Sequence, residues 1–234
     1  MIAGYGELLV HKLPKVAVVS TGDELIEPGG NPLPHQIPAS NDVMVSAMLS
    51  GKARETRSLS RIADDMDVLC AALDSAKDCD IIVTIGGASV GDHDLVGPAF
   101  ERLGAAIDFQ KIAMKPGKPV MSGTLGSTVI LALPGNPASA FVAATLFLLP
   151  LVRYMAGSSQ YLPHYQSAST TQALPATEKR AQFLRAHVGA NGITPFNSQD
   201  SAKLSVLAEA NALLYRAAHS DAVDIGDTVS FIGI

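Results

Sequence analysis

The side chains best suited to chemistry lie in five short clusters, each at or just past the end of an apolar or strand-like run. The first is Thr21-Gly22-Asp23-Glu24, a hydroxyl and two carboxylates behind Lys15 to Ser20. The second is the acidic pair Asp64-Asp65. The third, from Gly86-Gly87 through Ser89 and Gly91 to Asp94, follows five unbroken apolar or β-branched residues, Ile81 to Ile85. Its glycines let the backbone turn sharply and approach a ligand closely. Strand, glycine turn, small polar residues and helix start is how open α/β sheets build anion sites, although an ordinary βα turn would use the same glycines. The fourth, Lys115-Pro116-Gly117-Lys118-Pro119, presents two ammonium groups on a backbone stiffened by proline, which suits an oxyanion clamp better than a solvated turn. The fifth runs from Pro134-Gly135-Asn136 to Ser139. Asn136 reads as an N-cap with Pro137 at the first helical position, so that free amides and the Ser139 hydroxyl face an anion.

Such clusters need a frame that brings strand ends to one edge. Ile81 to Ile85 is too continuous for a half-exposed strand and predicts a central strand buried on both faces of a parallel sheet. Lys15 to Ser20, Arg54 to Ser60, Ile107 to Met114 and Thr128 to Leu133 supply further strands. Between them, Ser40-Asn41-Asp42 offers N-cap candidates for a helix that Gly51 ends. Asp64-Asp65 opens a second helix carrying Met66, Leu69, Cys70 and Leu73, and charge on a helix start is the plainer account of that pair. Leu95 to Leu103, closed by Gly104, and Pro137 to about Leu149 complete the helices. The pattern predicts an α/β domain: a three-layer, mostly parallel sheet with helices on both faces. The proline-rich stretch from Pro28 to Pro38 is a rigid excursion or a lip over the site. Past Gly157-Ser158-Ser159 the texture changes. Ala181 to Val188, Ile193 to Phe196, Ala212 to Tyr215 and Thr228 to Ile232 alternate between turn residues, which predicts a small β-barrel-like domain. The expected division is a connector at 1–14, an α/β domain at 15–156 and a β domain at 160–234.

A 234-residue chain with 47% hydrophobic residues and a net charge of −5 describes a globular protein with room for a full core. The charge argues against nucleic acid or an anionic membrane held by bulk attraction. A few converging cations still suffice for a small anion. Cys70 and Cys79 read as reduced core residues of a cytosolic protein. No basic segment precedes an apolar core at the N-terminus, and the run from Ala138 to Val152 is short for a membrane span and holds Pro150. The expectation is a cytoplasmic protein.

Taken together, Ser20 to Leu25 (S-T-G-D-E-L), Ser40-Asn41, Arg61 with Asp64-Asp65, Gly86 to Asp94, Lys115 to Pro119 and Leu133 to Ser139 resemble one family. It is the MoeA/gephyrin family of molybdopterin molybdenumtransferases, and the likeness is to its C-terminal half. Each motif alone is weak, whereas their order and spacing are specific. The match is strong from Lys15 to Met155 and looser in the β tail. The resemblance implies the fold of the MogA-like molybdopterin-binding domain. It also implies a reaction, insertion of molybdate into adenylylated molybdopterin with release of AMP. Asp23, Glu24, Asp64 and Asp94 would be the catalytic carboxylates, with Glu24, Asp64 and Asp94 on a divalent cation, Mg²⁺. Thr21, Gly22, Ser40, Asn41, Gly86, Gly87, Ser89, Gly91, Pro134, Gly135 and Asn136 would bind the pterin nucleotide. Lys115, Lys118, Ser139, Arg185 and Ser201 would cage molybdate, a tetrahedral dianion. His93 is a bystander, since the family does not require histidine there.

The loop reads G-G-A-S where the family more often has valine for Ala88. The family's N-terminal half, which resembles a homodimerisation platform, has no counterpart in this sequence, so this sequence is expected to carry one side of the active site and not all of it. A MogA-like adenylyltransferase and a CinA-like pyrophosphatase share the α/β domain, but the trailing β domain, K-P-G-K-P and P-G-N-P favour MoeA. A non-catalytic module, as in the receptor-binding region of gephyrin, is the alternative from another class. The carboxylate set argues against it, because a scaffold has no use for one.

Overall fold

The computed structural model describes residues 4, 6–87, 95–200 and 203–234. The chain opens with β1 (Lys15–Thr21), the two-residue pair β2 (Leu25–Ile26) and β3 (Ile37–Pro38), and α1 (Asn41–Leu49). It continues through β4 (Glu55–Ile62), α2 (Met66–Ser75), β5 (Ile81–Ile85), α3 (Val96–Arg102), β6 (Ala106–Gln110), β7 (Met114–Lys115), β8 (Met121–Leu125) and β9 (Thr128–Leu133). The main sheet has the order β4-β1-β5-β9-β8-β6. Its first four strands are parallel, and β8 and β6 are antiparallel to their neighbours.

β5 is buried at every residue, as its apolar run predicts. Successive side chains of a strand point to opposite faces, and here both faces are covered. Val16, Val18, Ile81 and Val83 pack with Val45, Leu49 and Leu148. Ala17, Val19 and Ile82 pack on the other side with Leu69, Leu73 and Phe100.

Three elements differ from the sequence expectation. Ile107 to Met114 is not one strand: β6 ends at Gln110, Lys111 takes a φ of 76°, and β7 leaves the sheet to pair with the second one. Met121 to Leu125, which pairs antiparallel with β9, was not anticipated, because M-S-G-T-L lacks a continuous apolar signature. The helix after β9 does not end near Leu149. It runs as α4 (Pro137–Ala143), a π-helical turn (Ala144–Leu148) and α5 (Leu149–Met155). A π-helical turn breaks the i→i−4 pattern just before Pro150, whose missing N–H would interrupt that pattern anyway. Over Pro137–Met155 this helix is long and apolar enough to span a membrane, with mean hydropathy 1.6, yet half of it is buried inside the protein.

The second sheet consists of β10 (Tyr165–Ser169), β11 (Ala181–Gly189), β12 (Gly192–Pro195), β13 (Ala212–Arg216) and β14 (Thr228–Gly233), with α6 (Leu204–Glu209) between β12 and β13. The order is β10-β14-β13-β11-β12, and a bridge between Thr170 and Ile193 brings its two ends together like a barrel. β10 and α6 escaped sequence reading because neither has a fully buried residue to give it a pattern. Met114, Phe183, Leu213 and Ile232 of the second sheet form a core with Val142 of α4, which joins the two halves of the chain.

Opposite the edge where the polar clusters lie, Asp78 accepts from Lys15 at 2.5 Å and from both Nη atoms of Arg57 at 2.9 and 3.1 Å. The Lys15 ammonium and then the Arg57 guanidinium lower the Asp78 pKa from 3.8 to about 2. A carboxyl held below its unfolded value adds stability that is complete above pH 3.8 and lost as the pH falls through about 2. Asp78→Asn is therefore expected to flatten the dependence of melting temperature on pH within that window, and an unchanged slope would discount the network.

Candidate functional site

Two polar clusters form at the C-terminal edge of the parallel strands and at the joint with the barrel. In the first, Asp64 ties the loop after β4 to the loop after β1. Its Oδ1 accepts from the Thr21 hydroxyl at 2.7 Å and its Oδ2 from the Asp23 amide at 3.4 Å, while its own amide donates to Asp23 Oδ1 at 3.1 Å. Asp65 has a separate task. It caps α2, accepting from the amides of Asp67 and Val68. The plain capping account thus holds for Asp65, while Asp64 faces Thr21 and Asp23. Glu24 folds back over Gly22, where a Cβ would lie 2.6 Å from its carboxylate. Gly22 has a φ of +147°, so a side chain is excluded twice over.

The glycines after β5 approach neighbouring backbone closely. A Cβ on Gly86, at φ +92°, would stand 3.0 Å from the Thr21 carbonyl, and one on Gly135 would stand 3.3 Å from Gly86 Cα. Asn41 donates through Nδ2 to the Gly135 carbonyl at 2.6 Å. The sequence-predicted residues Thr21, Gly22, Asn41, Gly86 and Gly135 are thereby brought into one place, with Ser40 and Pro38 on the rim of a small cavity. The end of the proline-rich stretch is accordingly a lip of that cavity. Ser40 does not cap α1 through its side chain, since its backbone is already helical at φ −93° and ψ −22°.

The second cluster gathers at the joint. Lys115 and Lys118 are exposed on a tight loop in which Ile112 and Val120 donate to the Lys118 carbonyl. The Lys115-Pro116 bond is cis and Gly117 has a φ of +99°. A Cβ there would meet Met114 at 3.1 Å and the Ser139 carbonyl at 3.6 Å, so the lysine loop lies against the first turn of α4. Asn136 caps that turn by accepting from the Ser139 amide. β7 pairs Lys115 with Gln182, three residues before Arg185 on the same strand. Arg185 is only 1% exposed and its Nη1 donates to the Asp200 carbonyl at 2.9 Å. Burial pushes its guanidinium pKa down, and Asp200 opposes that shift. Arg185 is therefore buried, whereas the lysines are exposed. Ser89, Gly91, His93, Asp94 and Ser201 lie outside the described residues.

Oxygen donors suit Mg²⁺, which takes one or two carboxylates and completes its shell with water and substrate phosphate. Among the described residues no three His, Cys, Asp or Glu side chains are grouped as a ready metal site. One residue the sequence did not single out for a ligand is Asp42. Its position in a helix's first turn looks like ordinary dipole compensation, yet it is buried.

Residues 17–154 match the family model described as a probable molybdopterin binding domain, and residues 167–234 match the MoeA C-terminal region, domain IV. Molybdopterin molybdenumtransferase 2 of Mycobacterium tuberculosis is 36% identical over 223 residues, covering 90% of this chain and 54% of the relative. Molybdopterin molybdenumtransferase of Bacillus subtilis is 30% identical over 234 residues, covering 98% and 54%. A crystal structure of the molybdopterin biosynthesis MoeA protein of Pyrococcus horikoshii superposes with a TM-score of 0.81 at 26% identity, covering 94% of this chain and 54% of that one. The chain spans about half the length of the curated relatives it matches.

Proposed function

Because the chain belongs to the MoeA family, joining its molybdopterin-binding domain to its C-terminal domain IV, we propose that it forms one side of a molybdopterin molybdenumtransferase site. In this reading it binds adenylylated molybdopterin and molybdate and takes part in molybdate insertion with release of AMP. The observation that carries the reading is the Pro134 to Ser139 loop. Gly135 touches Gly86 and accepts from Asn41 at its start, while Ser139 abuts the lysine loop at its end. A phosphate cradle and an oxyanion clamp are thus joined by six residues.

In the proposal, Asp64 holds Thr21 and Asp23 in place, and the backbones of Gly86, Gly87 and Gly135, with Ser89 and Gly91, come close to the nucleotide phosphates. Lys115 and Lys118 attract and orient molybdate with the Ser139 hydroxyl and Ser201, and Arg185 adds positive potential from behind. Glu24, Asp64 and Asp94 would hold Mg²⁺, which neutralises phosphate charge when bound. The proposal treats 15–156 and 160–234 as its two domains and 1–14 as a connector, and it places the reaction in the cytoplasm in a homodimeric assembly.

Calorimetric titration of molybdate, and separately of AMP with Mg²⁺, tests the reading. Lys118→Ala removes one charge-assisted hydrogen bond of about 1.5–3 kcal/mol, so molybdate affinity is expected to fall roughly 10- to 150-fold while AMP still binds. Molybdate affinity equal to that of the unaltered chain would overturn the clamp.

A further inference from the structure

We infer that Asp42 reads the pterin ring of the substrate, its carboxylate accepting two N–H groups from the 2-amino-4-oxopyrimidine edge. The inference rests on the functional reading above and deepens it by fixing which end of the substrate enters which cluster.

The ends of β1 and β5 enclose, with the start of α1, a cavity of about 70 Å³. It lies where the sheet order reverses, since the chain passes from β1 outward to β4 and then back across β1 to β5. Crevices at such switch points are the usual ligand sites of open α/β sheets. The walls include Leu25, Ile37, Ile85 and Pro137, apolar surfaces suited to a flat ring. Beside the hydroxyls of Ser20, Thr21 and Ser40, the polar side holds two buried acceptors. Asp42 is 7% exposed, and its Oδ1 has no hydrogen-bond partner among the described residues. Asn41 Oδ1 is also buried and unpartnered, because the Asn41 amide nitrogen is committed to Gly135. Buried acceptors of this kind are rare and ask for a donor.

Dipole compensation at the start of α1 does not require burial, and it leaves the buried Oδ1 of Asp42 without a donor. Among the described residues no lysine or arginine lines the cavity, and Glu24 adds a second carboxylate. An anion would be repelled by these carboxylates inside the cavity; in the functional reading the phosphates lie at its mouth, on the Gly86 and Gly135 backbone, and molybdate on the Lys115 to Lys118 loop. The occupant must bring donors on a flat, uncharged ring. Within adenylylated molybdopterin, adenine offers one amino group. The pterin offers a ring N–H beside an exocyclic amine, which matches the two oxygens of a carboxylate. The cavity volume takes the edge of such a ring and leaves the remainder of the substrate toward Gly86 and Gly135.

Pterin fluorescence, titrated with the 234-residue chain, provides the test, with lumazine as the analogue that carries a carbonyl in place of the 2-amino group. The unaltered chain is expected to prefer pterin to lumazine by about tenfold or more, since a site built for a donor rejects an acceptor. Asp42→Asn can donate to that carbonyl and should narrow or invert the preference. Asp42→Ser should weaken pterin without favouring lumazine. Molybdate titration reports that each variant is folded. The inference is overturned if the unaltered chain binds molybdate and AMP but shows a pterin-to-lumazine ratio near one. It is equally overturned if Asp42→Asn keeps the original ratio, or if AMP without Mg²⁺ displaces pterin by direct competition, which would assign the cavity to adenine. Failure of molybdate, AMP and pterin alike to bind the unaltered chain would remove the functional reading and this inference with it.

Discussion

A Gly123→Ala chain is expected to lose about 3 kcal/mol or more of stability, at or beyond the upper end of overpacking costs. Replacing a glycine within a strand ordinarily helps, because alanine loses less backbone freedom on folding. Gly123 reverses that sign. A Cβ placed there would lie 2.2 Å from the Ala106 carbonyl oxygen and 2.9 Å from Ile107 Cα. Both atoms belong to the backbone of β6, so no rotamer change relieves the contact. Gly123 pairs with Ile107, and the register of β6 shifts between Ile107 and Phe109, bringing β6 unusually close. To admit a methyl group, β6 must separate from β8, which removes its ladder and exposes the side of the core where Ile107 packs. Gly126→Ala is the natural control. It has a φ of +62° but nothing within 4 Å of a Cβ, so it incurs only the left-handed backbone cost of about 1–2 kcal/mol. Urea denaturation of the two variants decides the matter. A Gly123→Ala midpoint at or above that of Gly126→Ala would show that β6 can yield.

The second large effect concerns ligand affinity. Asp64→Ala is expected to weaken binding of AMP with Mg²⁺ by roughly 10- to 100-fold, the scale of one or two hydrogen bonds to a charged group. Asp64 accepts from Thr21 and Asp23 and donates back to Asp23, so its loss frees two loops at once. It also removes an oxygen donor assigned to the cation. Asp65→Ala, one residue away, should behave differently. It deletes the α2 cap, costing about 1 kcal/mol of stability with affinity kept. Calorimetry and thermal melting on both variants separate the roles. Equal affinity losses would mean that the pair acts through the helix alone.

Much of the architecture was legible because burial writes itself into composition. β5 reads as an unbroken apolar run since both of its faces are covered, and α2 is announced by Asp65 and an apolar face. Asn136 and Pro137 likewise start α4 where their chemistry predicts. β8 and β10 were not legible, for they hold small or polar residues whose partners, not their own propensities, make them regular; α6 is apolar but only six residues long and has no buried residue. The helix through Pro150 passed its expected end because a π-helical turn, which no local signal forecasts, carries it onward.

The candidate site divides in the same way. Residue types, order and spacing alone identify the family and nominate Asp64, the paired glycines, the lysine loop and Ser139. Without the family resemblance, side-chain chemistry does not separate Asp64 from Asp65, which are adjacent and chemically identical. Only the fold assigns one to Thr21 and Asp23 and the other to a helix cap. They also cannot tell that Arg185 is buried while the lysines are exposed, or that Asp42 is buried against a small cavity. Sequence determines which groups are available and which segments bury themselves. Partnership, burial of individual polar atoms and the space left between strands depend on residues distant in sequence meeting, as Asp23 and Asp64 or Asn41 and Gly135 do, and only tertiary packing decides that.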